Sequence, residues 1–328
     1  MSKKINAVFE GGGIRGIGHV GAACSFEQKG YEFVNVAGSS AGAIVASLLA
    51  AGYRCDEIKK EMNQLDYVKF KQDTFLGRLG MAGKAVSILF RYGIYSADYF
   101  EQWLNSFLAK KGKVTFGDIK TKDYDCGTSR YKLQITASDL TDQRLLILPD
   151  DLSKFCIDPD SFSIAKAVRM SMSIPIYYEP YRLKDCNGKV HYIVDGGLLS
   201  NYPIWLFDHL KSDCQCATVG FKFVEKTKDD MTVKHTDMNI IEYIMSIAST
   251  ALNAKDKQYI SNSKGDFQRT VTIPTTITIN GETKNIGATD FDISRAESEA
   301  LFYNGVKAAE KFINTWNYDQ WKKSYQRF

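Results

Sequence analysis

Twice in its first fifty residues the chain passes from a short apolar run, through a cluster of small residues, into a helix-like run. The first cluster lies in VFEGGGIRGIGHVGA (residues 8–22), where six glycines surround Arg15. The second is GSSAG (38–42), between FVNVA and AIVASLLAAGY. Ile5–Phe9 and Phe33–Ala37 read as strands, and His19–Lys29 and the stretch after Gly42 as helices. A strand that empties directly into a helix returns to the sheet by a crossover, so its neighbours are expected to run parallel. The expected class is therefore α/β, with parallel strands.

Further along, Tyr131–Ala137, Arg144–Leu148, Val190–Val194 and Ala217–Val224 read as strands, and Thr270–Ile279 as extended. Ser163–Met172, Met238–Lys257 and Arg295–Trp316 have helical patterns. With no repeat and no Pro/Ser-rich linker, 1–328 is expected to be a single domain. Its core spans about 5–224, a helical lid or insertion covers about 56–112, and a helical and extended region covers about 236–328. Within the insertion, Leu76, Leu79, Gly83, Val86 and Phe90 fall on one helical face, with Arg78, Lys84 and Arg91 interleaved. Two readings stay open there: a lid touching lipid, or a helix packed on the core. The tail holding Trp316, Trp321, Lys322, Lys323, Tyr325 and Phe328 leaves the same choice between membrane interface and docking on the protein or a second copy.

A net charge of +4, from 42 basic against 38 acidic residues, is too small to argue for a nucleic-acid partner. The seven cysteines are odd in number and irregularly spaced. MSKKINAVF has no apolar stretch of signal-peptide type. Free thiols in a reducing cytoplasm are expected, with peripheral membrane contact as an alternative. Cys214 and Cys216 make a weak metal pair, and neither EF-hand nor zinc spacing is present, so no metal or other cofactor is expected.

Gly11-x-Gly13-x-x-Gly16 fits a dinucleotide cradle, but that reading needs an acidic residue at the end of the second strand to hold a ribose. Val36-Ala37-Gly38-Ser39-Ser40 stands there instead. Gly38-Ser39-Ser40-Ala41-Gly42 has the G-x-S-x-G form of a nucleophile elbow, which presents a serine at the mouth of a sheet. A nucleophile needs amide donors beside it for the oxyanion, and a glycine loop on the adjacent strand offers bare N–H groups. The opening glycines are thus explained by Ser40. The four histidines, His19, His191, His209 and His235, carry no site signature as the base. Asp195-Gly196-Gly197 follows a strand directly and can bring a carboxylate to the same edge; read alone, it is equally an ordinary Asp-Gly turn.

Taken together, these residues resemble the patatin-like phospholipase family. Gly11-Gly12-Gly13-Ile14-Arg15-Gly16 resembles its oxyanion-hole loop and Gly38–Gly42 its elbow. Ala167–Pro175 (AVRMSMSIP) resembles its helix-to-Ser-Ile-Pro stretch, and Asp195-Gly196-Gly197 its Asp-Gly-Gly motif. GATDFDIS before the final helix resembles the end of bacterial members. Glu10 departs from the Asp that many members carry. The resemblance implies a three-layer α/β/α sandwich with a mostly parallel central sheet and a helical insertion, and a calcium-independent lipid acyl hydrolase with a Ser40–Asp195 dyad. It implies an oxyanion hole from Gly11, Gly12 and Gly13 supported by Arg15, and a lipid or phospholipid substrate met at a membrane surface. Alternatives are an esterase or acyltransferase on small soluble esters, a nucleotide-activated phospholipase effector, and a nucleotide-binding module. Oligomeric state is left open.

Overall fold

A computed structural model of the chain describes residues 3–64, 67–70, 80–121, 130–208, 216–225, 250, 264–290 and 292–325. The first two strand-to-helix units form as expected. β1 (Lys3–Phe9) leads through the glycine loop to α1 (Gly16–Gln28), and β2 (Tyr31–Gly38) turns at Ser40 into α2 (Ala41–Ala50). α3 (Cys55–Gln64), α4 (Gly80–Arg91), β3 (Gly93–Tyr95) and α5 (Asp98–Lys110) follow. Next come β4 (Leu133–Asp139), β5 (Arg144–Leu148), α6 (Ile164–Met172), β6 (Ile176–Tyr178), β7 (Tyr181–Lys184) and β8 (Val190–Asp195). The remainder comprises α7 (Gly197–Ser200), β9 (Ala217–Val224), α8 (Lys264–Gln268), β10 (Thr270–Pro274), β11 (Thr276–Ile279), β12 (Glu282–Asn285), α9 (Arg295–Thr315) and α10 (Tyr318–Tyr325).

The central sheet runs β10-β9-β1-β2-β4-β8-β7, with β5 also on β4. The pairs from β10 to β4 are parallel, while β8, β7 and β5 join antiparallel. This is a mixed α/β fold with a mostly parallel sheet and flanking helices. On one face Ile5, Ala7 and Phe9 of β1 meet buried residues of α1, α2, α6 and α9 in the main core. On the other face Val8 and Ala37 pack with Leu206 and Phe207 of a single turn, Ile204–Phe207. Alternating side chains along one strand thereby serve two layers.

Helix α9 lies across α1 with their backbones almost in contact. A Cβ on Gly21 would stand 2.0 Å from the Phe302 carbonyl oxygen, and one on Gly305 would stand 1.9 Å from that of Gly18. The small residues of α1 are therefore wanted for helix packing as well as for the site.

Several expectations need correction. The insertion holds a short strand, β3, paired parallel with β6, which the helical reading missed. The extended run 270–279 breaks at Thr275: β10 stays in the main sheet, and β11 leaves it to form a hairpin with β12. Free thiols are overturned for four cysteines. Cys24 is bonded to Cys55 and Cys156 to Cys186, with Cα atoms 5.1 and 5.3 Å apart, and Cys216 is a free cysteine. These pairs meet because α1 packs beside the start of α3, and because the turn before β8 folds onto the segment after β5; irregular spacing conceals both contacts. The cysteine argument for a reducing compartment lapses with them. Of the tail, Trp316 stacks on Phe312, and Trp321 donates its indole N–H to the Gly265 carbonyl at 2.6 Å, so both dock on the protein itself. Phe328, Leu76, Arg78, Leu79, Cys126, Cys214 and nearly all of 238–257 lie outside the described residues.

The α1–α9 contact gives a direct test. Gly305→Val is expected to destabilise the fold by about 1–3 kcal/mol, the range for overpacking a tight contact, read as a lowered midpoint in urea unfolding.

Candidate active site

The turn at Ser40 is forced by its neighbours. A Cβ on Gly38 would sit 2.3 Å from the backbone of Gly42, and one on Gly42 would sit 2.2 Å from the Phe9 carbonyl oxygen. The chain folds this tightly on itself and against the end of β1 only because both positions lack side chains. Between them Ser40 adopts φ 49° and ψ −122°, a region costing a non-glycine residue on the order of 1–3 kcal/mol. Its carbonyl is taken up by the Ala43 amide at 2.9 Å as α2 begins.

Asp195 reaches Ser40 by an antiparallel route. Gly38 of β2 is level with Ile135 of β4, and Asp195 pairs with Ala137, further along the same strand. β8 enters from beyond the sheet edge and ends at the level of the Ser40 turn. The Asp195 carboxylate stands beside the Ser40 hydroxyl, near enough for the hydroxyl to lower its pKa. It accepts the Gly197 amide at 2.7 Å. Burial pushes its pKa up to about 7, and these two neighbours pull the other way. Gly196 turns the chain away at once, since a Cβ there would lie 2.3 Å from the Thr136 carbonyl oxygen.

The glycine loop stands beside this pair. The Gly11 N–H donates to the Asn201 carbonyl at 3.0 Å and is therefore already engaged. Its bare α-carbon leaves room for the Asn201 side chain and Ser40 Cβ. Arg15 Nε donates to the Gly12 carbonyl at 3.1 Å, while its Nη1 pairs with Glu225 at 3.1 Å and its guanidinium lies over the Phe223 ring. In a trans peptide the C=O and N–H point opposite ways. Holding the Gly12 carbonyl thus turns the Gly13 N–H away from Arg15. Gly13, at φ 56°, lines the same cleft as Ser40. Among the described residues, neither the Gly12 nor the Gly13 N–H donates to a backbone acceptor. The C-terminal region also supports this loop: the Ala288 carbonyl accepts the Ile14 amide at 3.0 Å and occupies the space a Gly13 side chain would need. Glu10 is buried at the loop's start, where it accepts the Phe223 amide at 2.6 Å and pairs with Lys222.

From Ser40 opens a narrow cleft of about 50 Å³. Gly13, Ser40 and Ala41 form its polar end; Ile44, Met62, Phe70, Trp103, Met172 and Ile174 make its walls apolar. The hydroxyl of Tyr178, also on the lining, is buried and lacks a hydrogen-bond partner among the described residues.

No described histidine joins the pair. His19 is fully buried with its pKa lowered to about 3 by that burial, and its Nε2 lies 2.9 Å from the Glu10 carbonyl oxygen. His191 Nδ1 lies 2.8 Å from Asp139 Oδ2. His209 and His235 lie outside the described residues. Asp139, Asp142 and His191 are close enough to share a cation, but Arg144 and Lys189 already pair with these carboxylates.

One contributor escapes motif reading. Ser171, near the end of α6, accepts the Ser40 amide on its Oγ at 2.8 Å and the Gly196 amide on its carbonyl at 3.1 Å. Ser173 adds a carbonyl to the Asp195 amide at 2.9 Å. The Ser-Met-Ser stretch is thus a bracket across both members of the pair. Its sequence signal is the Ala167–Pro175 motif, which marks the stretch without giving either serine a role. Ser171→Ala leaves the strained Ser40 amide without its acceptor. Turnover is expected to fall about tenfold, the equivalent of about 1.4 kcal/mol, with KM nearly unchanged in steady-state kinetics.

With this geometry in place, comparison with known proteins is informative. A family model described as patatin-like phospholipase matches residues 7–208. The uncharacterized protein YqhO of Bacillus subtilis is 34% identical over 314 residues, covering 96% of this chain and 99% of that one. The uncharacterized protein R571 of Acanthamoeba polyphaga mimivirus is 29% identical over 316 residues, covering 94% and 93%. Among solved structures, VipD from Legionella pneumophila superposes with TM-score 0.55 at 16% identity over 95% of this chain and 67% of that chain. The type III effector protein ExoU gives TM-score 0.51 at 14% identity over 95% and 53%. These likenesses in structure bear on the fold, while the family model and YqhO bear on descent. The chain belongs to the patatin-like phospholipase family, a family of lipid hydrolases.

Proposed function

We propose that the protein is a serine lipid acyl hydrolase of phospholipase A type, cleaving fatty-acyl esters through a Ser40–Asp195 dyad. The observation that carries this reading is the placement of the strained, cleft-lining Ser40 beside a carboxylate whose burial pushes its pKa up to about 7. In bulk water an aspartate near 3.9 is a poor base; raised toward neutrality it accepts a serine proton far more readily.

In the proposed cycle the Ser40 hydroxyl attacks the ester carbonyl and passes its proton to Asp195. The oxyanion meets the amides of Gly12 and Gly13, oriented by Arg15 through the Gly12 carbonyl. The amide of Ala41 adds to them, since it stands at the start of α2 with no acceptor in the preceding turn. Gly11 supports the loop sterically, its own N–H being spent on Asn201. Protonated Asp195 returns the proton to the departing lysolipid or alcohol oxygen, leaving an acyl ester on Ser40. Asp195 then takes a proton from water as it attacks the acyl ester, and passes that proton to Ser40 Oγ as the fatty acid is released. The apolar walls of the cleft suit an acyl chain better than a small soluble ester, which favours lipid over the esterase alternative. No cofactor enters these steps. No described helix is long and apolar enough to cross a membrane; the reading has the enzyme working peripherally at a bilayer.

Two experiments test this. Fluorophosphonate labelling and fatty-acid release from mixed phospholipid vesicles are expected in the wild type and lost in Ser40→Ala; labelling that persists in the variant removes Ser40 from the chemistry. The second is a pH profile. Because the base form of Asp195 is required and its pKa is raised, kcat/KM is expected to rise through about pH 7 to a plateau on the alkaline side. A profile already flat from pH 5 upward removes Asp195 as the base.

A further inference from the structure

Among its described side chains, helix α4 buries Gly83 and Ser87, and Ser87 Oγ donates to the Gly93 carbonyl at 2.7 Å. Its outer face carries Val86, Leu89 and Phe90, exposed by 37%, 71% and 70%, and Tyr92 just beyond is exposed by 50%. Spacing of three and four residues sets Val86, Leu89 and Phe90 on one stripe. Of the face expected from the sequence, Gly83 turns inward while Val86 and Phe90 point away from the core.

We propose that this stripe is a docking surface for a phospholipid bilayer bearing anionic headgroups; the inference rests on the lipid-hydrolase reading of the Ser40 cleft and adds where the enzyme touches its substrate phase. Three observations carry it. The first is the contiguous exposed apolar face itself, of the kind that marks an interaction site. The second is position. β3 begins immediately after Tyr92 and pairs with β6, and Tyr178 of β6 lines the cleft. Gly93 allows this close approach, since a Cβ there would lie 2.3 Å from the Glu179 nitrogen. Among the described residues that strand pair links the stripe to the cleft wall, so a bilayer against Leu89 and Phe90 lies on the side of the cavity its lipids would enter.

The third observation is the chemistry of the margin. Arg91, Arg169 and Arg182 line one surface recess with Glu179. Arg91 pairs with Glu179, and Arg169 with Asp98 and Glu101. Arg182 has no carboxylate at ion-pair distance among the described residues; its guanidinium stands over the Tyr192 ring, which meets the ring of Tyr92 edge-on at 5.4 Å. An apolar stripe bordered by tyrosines and an unneutralised arginine matches a bilayer in layers: acyl chains, then interface, then headgroup phosphate.

The test uses the full chain carrying Ser40→Ala, so that binding is read without turnover. Co-sedimentation is measured with vesicles of phosphatidylcholine alone and of phosphatidylcholine mixed with phosphatidylglycerol. Leu89→Ser/Phe90→Ser is expected to weaken binding to the mixed vesicles by at least about tenfold, given the apolar area withdrawn from water on docking. Arg182→Ser is expected to reduce the preference for the anionic mixture about fivefold. With Ser40 intact, the double variant should lose fatty-acid release from vesicles while hydrolysing a soluble short-chain ester at the wild-type rate. Wild-type binding without fatty-acid release keeps the docking surface and removes the hydrolase reading instead. Vesicle binding by the double variant equal to that of the wild type, or absent from the wild type, overturns the proposal. So does a double variant that loses only self-association.

Discussion

The placement of a buried carboxylate, Asp195, beside the Ser40 hydroxyl is the constraint around which the rest of the site is arranged. A carboxylate withdrawn from water is costly unless it is hydrogen-bonded. Here it accepts the Gly197 amide and lies next to the Ser40 hydroxyl. The cost that remains appears as a raised pKa, which is the property a base near neutrality needs. In the proposed mechanism, burial that would merely destabilise another position serves chemistry at this one.

Keeping that pair in place falls to backbone contacts drawn from distant segments. Ser171 and Ser173 pin the amides of Ser40, Gly196 and Asp195 to the end of α6. Arg15 anchors the glycine loop through Gly12, Asn201 through Gly11, and Ala288 through Ile14. Each is a short, buried or partly buried contact to a main-chain group, so the loop geometry is set before any ligand arrives. At Gly13, Gly38 and Gly42 other backbone occupies the space a side chain would need; at Gly11 and Gly12 the side chains of Asn201 and Phe223 do.

Much of this was legible in the chain itself. The two strand-turn-helix units announced a parallel sheet, and Ser40, Asp195 and the glycine loop were found by motif. A motif compresses local geometry, and local geometry is what sequence spacing records. Contacts between distant segments leave no such record. The pairing of Cys24 with Cys55, the departure of β11 from the sheet, and the bracket at Ser171 all depend on which elements happen to pack together. The outer stripe of α4 shows a subtler limit. Periodicity finds a helix with one apolar face, but it does not tell which way that face turns, and here glycine and serine take the inner side.

The sequence by itself determined the reactive groups and the local turns that present them, because tight strand-to-helix junctions demand glycine at set spacings. Only the tertiary structure decided that β8 runs against its neighbour β4, ending where β2 ends, and so brings Asp195 to Ser40. Strand direction is settled by the path of the chain between strands, through hydrogen bonds and packing spread over many residues, and no short stretch of sequence contains that information.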